Sequence, residues 1–191
     1  MKVVAFNGSP RPEGNTNMLL NMVLEPIRAA GIDTEVIQMG SQPIWGCRAC
    51  YKCLERQNRK CTVTTDRVNE YIQKLLEADG ILIGTPTYFS GPSAQTKAFI
   101  DRTGLVCRVN GNLLARKVGA GVVAVRRAGA VEAFSAINYY FLIGEAIVPG
   151  SIYWNLAVGR NPGDVAGDEE GVKTMQRLGE NMVWLLRKLN G

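Results

Sequence analysis

Residues 2–17 read KVVAFNGSPRPEGNTN, and this stretch decides the architecture. Lys2 to Phe6 is a short apolar run that breaks off at a Gly-rich turn, as a buried strand does. After Gly14 the polar trio Asn15-Thr16-Asn17 stands directly before Met18, Leu19, Leu20, Met22 and Val23, an apolar-periodic stretch that reads as a helix. Strand, loop and helix in that order open a parallel α/β sheet. The loop itself is built for an anion. Its two glycines let the backbone fold closely, Ser9, Asn15, Thr16 and Asn17 offer donors at a helix N-terminus, and Arg11 adds one positive charge.

Two better-known phosphate loops do not match. Five residues separate Gly8 from Gly14 and Asn15 stands where the Walker lysine belongs, so this is not a nucleotide-triphosphatase loop. The only approach to a dinucleotide G-x-G-x-x-G, Gly119-x-Gly121-x-x-Ala124, lies inside a strand-like run rather than opening a helix.

The alternation continues along the chain. Thr34 to Ile37, Ile81 to Gly84 and Val118 to Val125 read as strands, the last two as continuous apolar runs buried on both faces. Residues 66–78, 93–102, 132–142 and 170–189 read as helices, the first with Asp66 at its start. No repeat or linker interrupts the series. One doubly wound α/β domain over residues 1–191 is therefore expected, with helices on both faces of a parallel sheet and a cysteine-rich insertion-like loop at 45–65.

Composition narrows the chemistry. Hydrophobic residues make up 46% and charged residues 20% of 191, as in an ordinary globular domain. There is no histidine, which excludes Ser-His-Asp hydrolysis, Cys-His thiol catalysis and imidazole-ligated zinc from this chain. Twenty-two Lys+Arg against 17 Asp+Glu leave a net +5. That charge permits an anionic small molecule or acidic protein as partner, and the basic residues are too scattered to point to nucleic acid. No apolar run approaches the roughly 20 residues of a membrane span, and the N-terminus is too weakly apolar for an export signal. A cytoplasmic location is expected.

In a doubly wound sheet the ligand lies outside the carboxyl ends of the strands. The second loop there is Thr85-Pro86-Thr87-Tyr88-Phe89-Ser90-Gly91-Pro92. Two adjacent aromatics on a proline-stiffened loop beside an anion site suit a flat cofactor. Arg126-Arg127-Ala128-Gly129 follows the next strand and is a third candidate wall.

Cys47, Cys50, Cys53 and Cys61 are spaced C-x2-C-x2-C-x7-C, and Cys107 stands apart. In a reducing compartment such clustering points to metal or redox chemistry rather than disulfides. Four thiolates in this pattern suit a [4Fe–4S] cluster, with zinc or free redox-active thiols as alternatives. Cys53-x5-Arg59 has the spacing of a phosphatase loop, but bulky Leu54 to Asn58 replaces the glycines such a loop requires. Cys107 is expected to be a small buried residue.

The segments NGSPRPEGNTN at 7–17 and TPTYFSGPSAQTKAFIDR at 85–102 resemble the flavodoxin-like NAD(P)H-dependent FMN reductase family. The resemblance spans most of residues 1–130 and becomes general beyond. It implies a flavodoxin-like five-stranded parallel sheet, with FMN phosphate held by Ser9, Arg11, Asn15, Thr16 and Asn17. The isoalloxazine would lie against Pro86, Thr87, Tyr88, Phe89 and Ser90. FMN would carry the chemistry, with no protein acid or base required. The cysteine spacing is similar to that of the iron–sulfur flavoproteins of the same group. That likeness implies a [4Fe–4S] cluster on Cys47, Cys50, Cys53 and Cys61 exchanging electrons with FMN. Further implied are NAD(P)H or a reduced carrier protein as donor, a quinone, flavin or protein as acceptor, and a homodimer or homotetramer. A cluster-free flavin or quinone reductase and a flavodoxin-like electron carrier are the alternatives.

Overall fold

Val3 to Phe6 are fully buried in strand β1 (Lys2–Asn7), which pairs in parallel with β2 (Asp33–Gln38) on one side and β3 (Gly80–Pro86) on the other. A computed structural model describes all 191 residues. Beyond β3 lie β4 (Val118–Val125) and β5 (Leu156–Val158), giving a five-stranded, wholly parallel sheet in the order β2-β1-β3-β4-β5. The expected doubly wound fold is what forms. Every residue of β4 is buried, because helices cover both faces there.

On one face α1 (Asn15–Ala29) and α6 (Glu169–Asn190) pack Leu19, Leu20, Val23, Met175, Leu178 and Leu186 against Val3, Ala5, Leu82 and Val122. On the other, α3 (Val68–Glu77), α4 (Ala94–Val109) and α5 (Ala130–Ile143) set Tyr71, Ile72, Phe99, Ile137 and Phe141 against Val4, Phe6, Ile81 and Ile83. The near-fingerprint in β4 has a packing reason: a Cβ on Gly119 would collide with the Phe141 ring and one on Gly121 would press on Ile137. These glycines seat α5 close to the sheet.

Four elements depart from the sequence reading. Helix α4 runs on to Val109 instead of ending at 102, since Thr103, Val106 and Cys107 continue its buried face. Asp66 lies outside α3, where its Oδ1 accepts the Val68 N–H. Within the cysteine segment Lys52–Arg56 forms a short helix, α2. The fifth strand is only three residues long, too short for a periodicity to mark it.

Because the strand order reverses between β1 and β3, the loops leaving these two strands diverge to opposite faces and open a crevice between them. The first loop is pinned at its root. Gly8 N–H donates to Gly84 O (2.8 Å), and a Cβ at Gly8 would strike Thr96 Oγ1 and Gly84 O.

Candidate functional site

The loop from Gly8 to Gly14 is shaped by its own polar residues. Asn7 Oδ1 accepts the Ser9 N–H (3.0 Å), Ser9 Oγ accepts the Arg11 N–H (3.1 Å), and Gln38 Nε2 donates to Ser9 O (2.7 Å). Helix α1 then begins at Asn15 with no side-chain cap and no acidic residue in its first turn. The N–H groups of Asn15, Thr16 and Asn17 have no backbone acceptor, so three donors and the positive helix end face outward.

This loop, the start of the β3–α4 loop and residues 159–162 enclose a cleft of about 290 Å³. Ser9, Arg11, Asn15, Thr16, Pro86, Thr87 and Tyr88 line it, together with Arg126 and Arg160. Three arginines and no carboxylate make the cleft cationic. Two hydroxyls in it, Thr16 Oγ1 and Thr87 Oγ1, are buried without any hydrogen-bond partner. An orphaned buried hydroxyl is costly, and these two are free to bond a polar group placed in the cleft. Uncapped helix end, cationic wall and orphaned hydroxyls together fit a phosphate-bearing cofactor.

Not every residue singled out in the sequence reaches the cleft. Asn15 lines it, but its side chain is committed: Nδ2 donates to Asn161 O (2.9 Å) and Oδ1 accepts the Gly163 N–H (2.8 Å). It ties the 159–163 segment to the head of α1. Asn17 is not among the lining residues, because its helical position turns it one step away from Thr16. Phe89 and Ser90 occupy the outer end of a two-residue hairpin closed by Tyr88 and Gly91 (2.9 and 3.0 Å), both with left-handed backbone, and Phe89 is fully exposed. Arg126 and Arg160 line the cleft whereas Arg127 does not. Arg160 carried no sequence signal, as only the fold brings residue 160 opposite residue 15.

The four cysteines of the 45–65 segment line one small cavity of about 20 Å³, beside Arg102 from α4. All are free thiols, with Cys47 and Cys50 exposed, Cys61 half-buried and Cys53 buried. Backbone hydrogen bonding at Lys52, aided by the Thr62 hydroxyl 3.6 Å away, lowers the Cys50 thiol below its ordinary value, while burial raises that of Cys53. No three of these groups surround a common metal position. The donor chemistry suits a thiophilic metal, and the 45–52 limb that carries Cys47 and Cys50 is exposed. Ala49, Tyr51, Gln57 and Arg59 are held at positive φ, a density of left-handed non-glycine residues typical of functional loops. Cys107 is buried as expected, its thiol pushed up to about 12 by burial.

A buried ion pair anchors this segment. Asp66 and Arg102 side chains are both fully buried and in contact. Arg102 also donates to Trp45 O (3.2 Å) and Val63 O (3.0 Å), and Asp66 accepts the Trp45 N–H (3.0 Å). Burial opposes ionisation of Asp66, but the Arg102 hydrogen bond and two backbone N–H groups outweigh it and hold the carboxyl below its ordinary value.

Residues 1–160 match the NADPH-dependent FMN reductase family. The chain belongs to that family. An iron–sulfur flavoprotein of Methanocaldococcus jannaschii is 38% identical over 98% of both chains, and one of Archaeoglobus fulgidus is 33% identical over 93% of this chain and 86% of its own. Among solved structures, RosB with a bound formylriboflavin-phosphate intermediate superposes with a TM-score of 0.71 at 18% identity, over 99% of this chain and 80% of RosB. A flavodoxin from the domain Archaea gives 0.64 at 17% identity, over 98% and 99%. The fold of this FMN reductase family member is thus flavodoxin-like, and the protein is a flavin-dependent oxidoreductase. No helix is long and apolar enough to cross a membrane.

Proposed function

We propose that the cationic cleft holds FMN and that Cys47, Cys50, Cys53 and Cys61 hold a [4Fe–4S] cluster, so that the protein exchanges electrons between the two. The pair of orphaned buried hydroxyls carries the flavin placement. The α1 amides, Thr16 Oγ1 and Arg11 would receive the phosphate, with Arg160 closing the cleft from the far side. Thr87 Oγ1, Pro86 and Tyr88 would meet the ring, and Phe89 and Ser90 would cover its edge. Asn15 acts through the 159–163 segment it fastens.

When bound, FMN supplies hydride and one-electron chemistry and the cluster one-electron chemistry. The chain's own part is binding, orientation and charge. The convergence of four thiols on one cavity supports the cluster, as do the names of the two archaeal relatives. Expected partners are NAD(P)H or a reduced carrier protein as donor and a quinone, flavin or protein as acceptor. A cytoplasmic homodimer or homotetramer without nucleic-acid or membrane partners completes the reading. The open arrangement of the thiols favours a second reading, a cluster-free NAD(P)H-dependent flavin or quinone reductase.

An anaerobic absorption spectrum of freshly purified protein, with iron and acid-labile sulfide counts, separates the two. Flavin bands on a broad, bleachable shoulder with about four irons per chain are expected. Flavin bands without iron would leave the reductase alone, and failure to take up FMN would remove both. Cys50→Ser is expected to lose iron and keep FMN.

A further inference from the structure

The Asp66–Arg102 pair does more than close a gap in the core. Its two members are 36 residues apart in sequence, and the guanidinium reaches both limbs of the cysteine segment, through Trp45 O just before Cys47 and Val63 O just after Cys61. Those three acceptors engage both Nη1 and Nη2. Nε–H is left buried without a partner, on a side chain that lines the same cavity as Cys61. A buried guanidinium donor without a partner leaves one hydrogen bond to be made in that cavity.

We infer that Arg102 is a positioning residue for the thiol site: it holds the two limbs of the cysteine segment at a fixed separation and directs its free Nε–H to the Cys61 thiolate. This rests on the cluster reading above. Adding one electron to thiolate-ligated iron adds a negative charge beside the guanidinium, so a cation and an N–H donor at the sulfur both favour the reduced state. The Asp66 carboxylate opposes them. Arg102 therefore raises the reduction potential of the site and Asp66 restrains it.

The test uses the full-length protein, reconstituted with iron and sulfide and titrated with dithionite under mediators, the electron coming from that reductant. Arg102→Gln is expected to lower the cluster midpoint by about 59 mV, a tenfold change in a one-electron equilibrium, and Asp66→Asn to raise it. FMN content should be unchanged in both. Shifts of opposite sign do not arise from a merely structural role, which would lower iron content in both variants alike. If Arg102→Gln fails to fold, Arg102→Lys keeps the charge and removes Nε–H, and a smaller downward shift is expected. Wild-type protein that holds its cluster while the variants keep its potential overturns the inference alone. Wild-type protein that takes up no iron overturns both the cluster reading and the inference.

Discussion

At the residue scale, binding energy in the cleft turns on which polar atoms lack partners in its absence. Thr16 and Thr87 offer buried hydroxyls with nothing to bond, whereas Ser9 Oγ and the Asn15 amide are already engaged within the protein. A neutral hydrogen bond contributes about 1 kcal/mol, so Thr16→Ala and Thr87→Val should each weaken FMN binding by about fivefold, measured as quenching of flavin fluorescence on titrating apoprotein. Asn17→Ala should leave that affinity unchanged, since its side chain lies off the cleft. That Ser9, Arg11 and Thr16 share one wall of the cleft and Thr87 another was legible because each of the two loops carries its meaning in local spacing. The difference between Thr16 and Asn17 was not: one helical step of 100° decides which side chain faces the cleft, and that angle is set by how α1 sits on the sheet.

At the element scale the cysteine segment is held by a buried ion pair and by the side chains of Asn69 and Asn110 on its backbone rather than by secondary structure. Its only helix has five residues, and most of 45–60 is exposed. Removing one member of a buried pair strands the other charge and costs about 3–5 kcal/mol, so Arg102→Leu should loosen the segment before the sheet. Asp66 also makes the segment acid-sensitive. Its folded carboxyl lies below the ordinary value of 3.8, so the stabilisation is complete above that value and is lost as the pH falls through the folded one. Hydrogen exchange at residues 45–65 is expected to rise in that acid window ahead of the core strands, and Asp66→Asn should abolish the pH dependence. Equal exchange in variant and wild type would remove the pair from that role.

Across the whole molecule, the apolar stretch after residue 136 is both core and surface. Ile137, Tyr140 and Phe141 are buried on the sheet, whereas Tyr139, Leu142 and Ile143 of the same helix are exposed. Such an uncovered stripe suits association of chains, and sedimentation should show a dimer or tetramer that Tyr139→Glu combined with Leu142→Glu converts to monomer. The sequence by itself determined the alternation of buried strands and helices, the glycine-rich loop after β1, the proline-stiffened aromatic loop after β3 and the four-cysteine segment. Each of these is written in neighbours a few residues apart, where periodicity, turn chemistry and ligand spacing act. Only the tertiary structure decided the brief β5, the placing of Arg160 opposite Asn15, and the choice of Arg102 as the partner of Asp66. Any of 22 basic residues can pair with a given aspartate, and nothing local distinguishes the right one. That choice is made by burial, when packing α4 against the 45–65 segment leaves one cation and one anion out of water with only each other and a few backbone groups to bond.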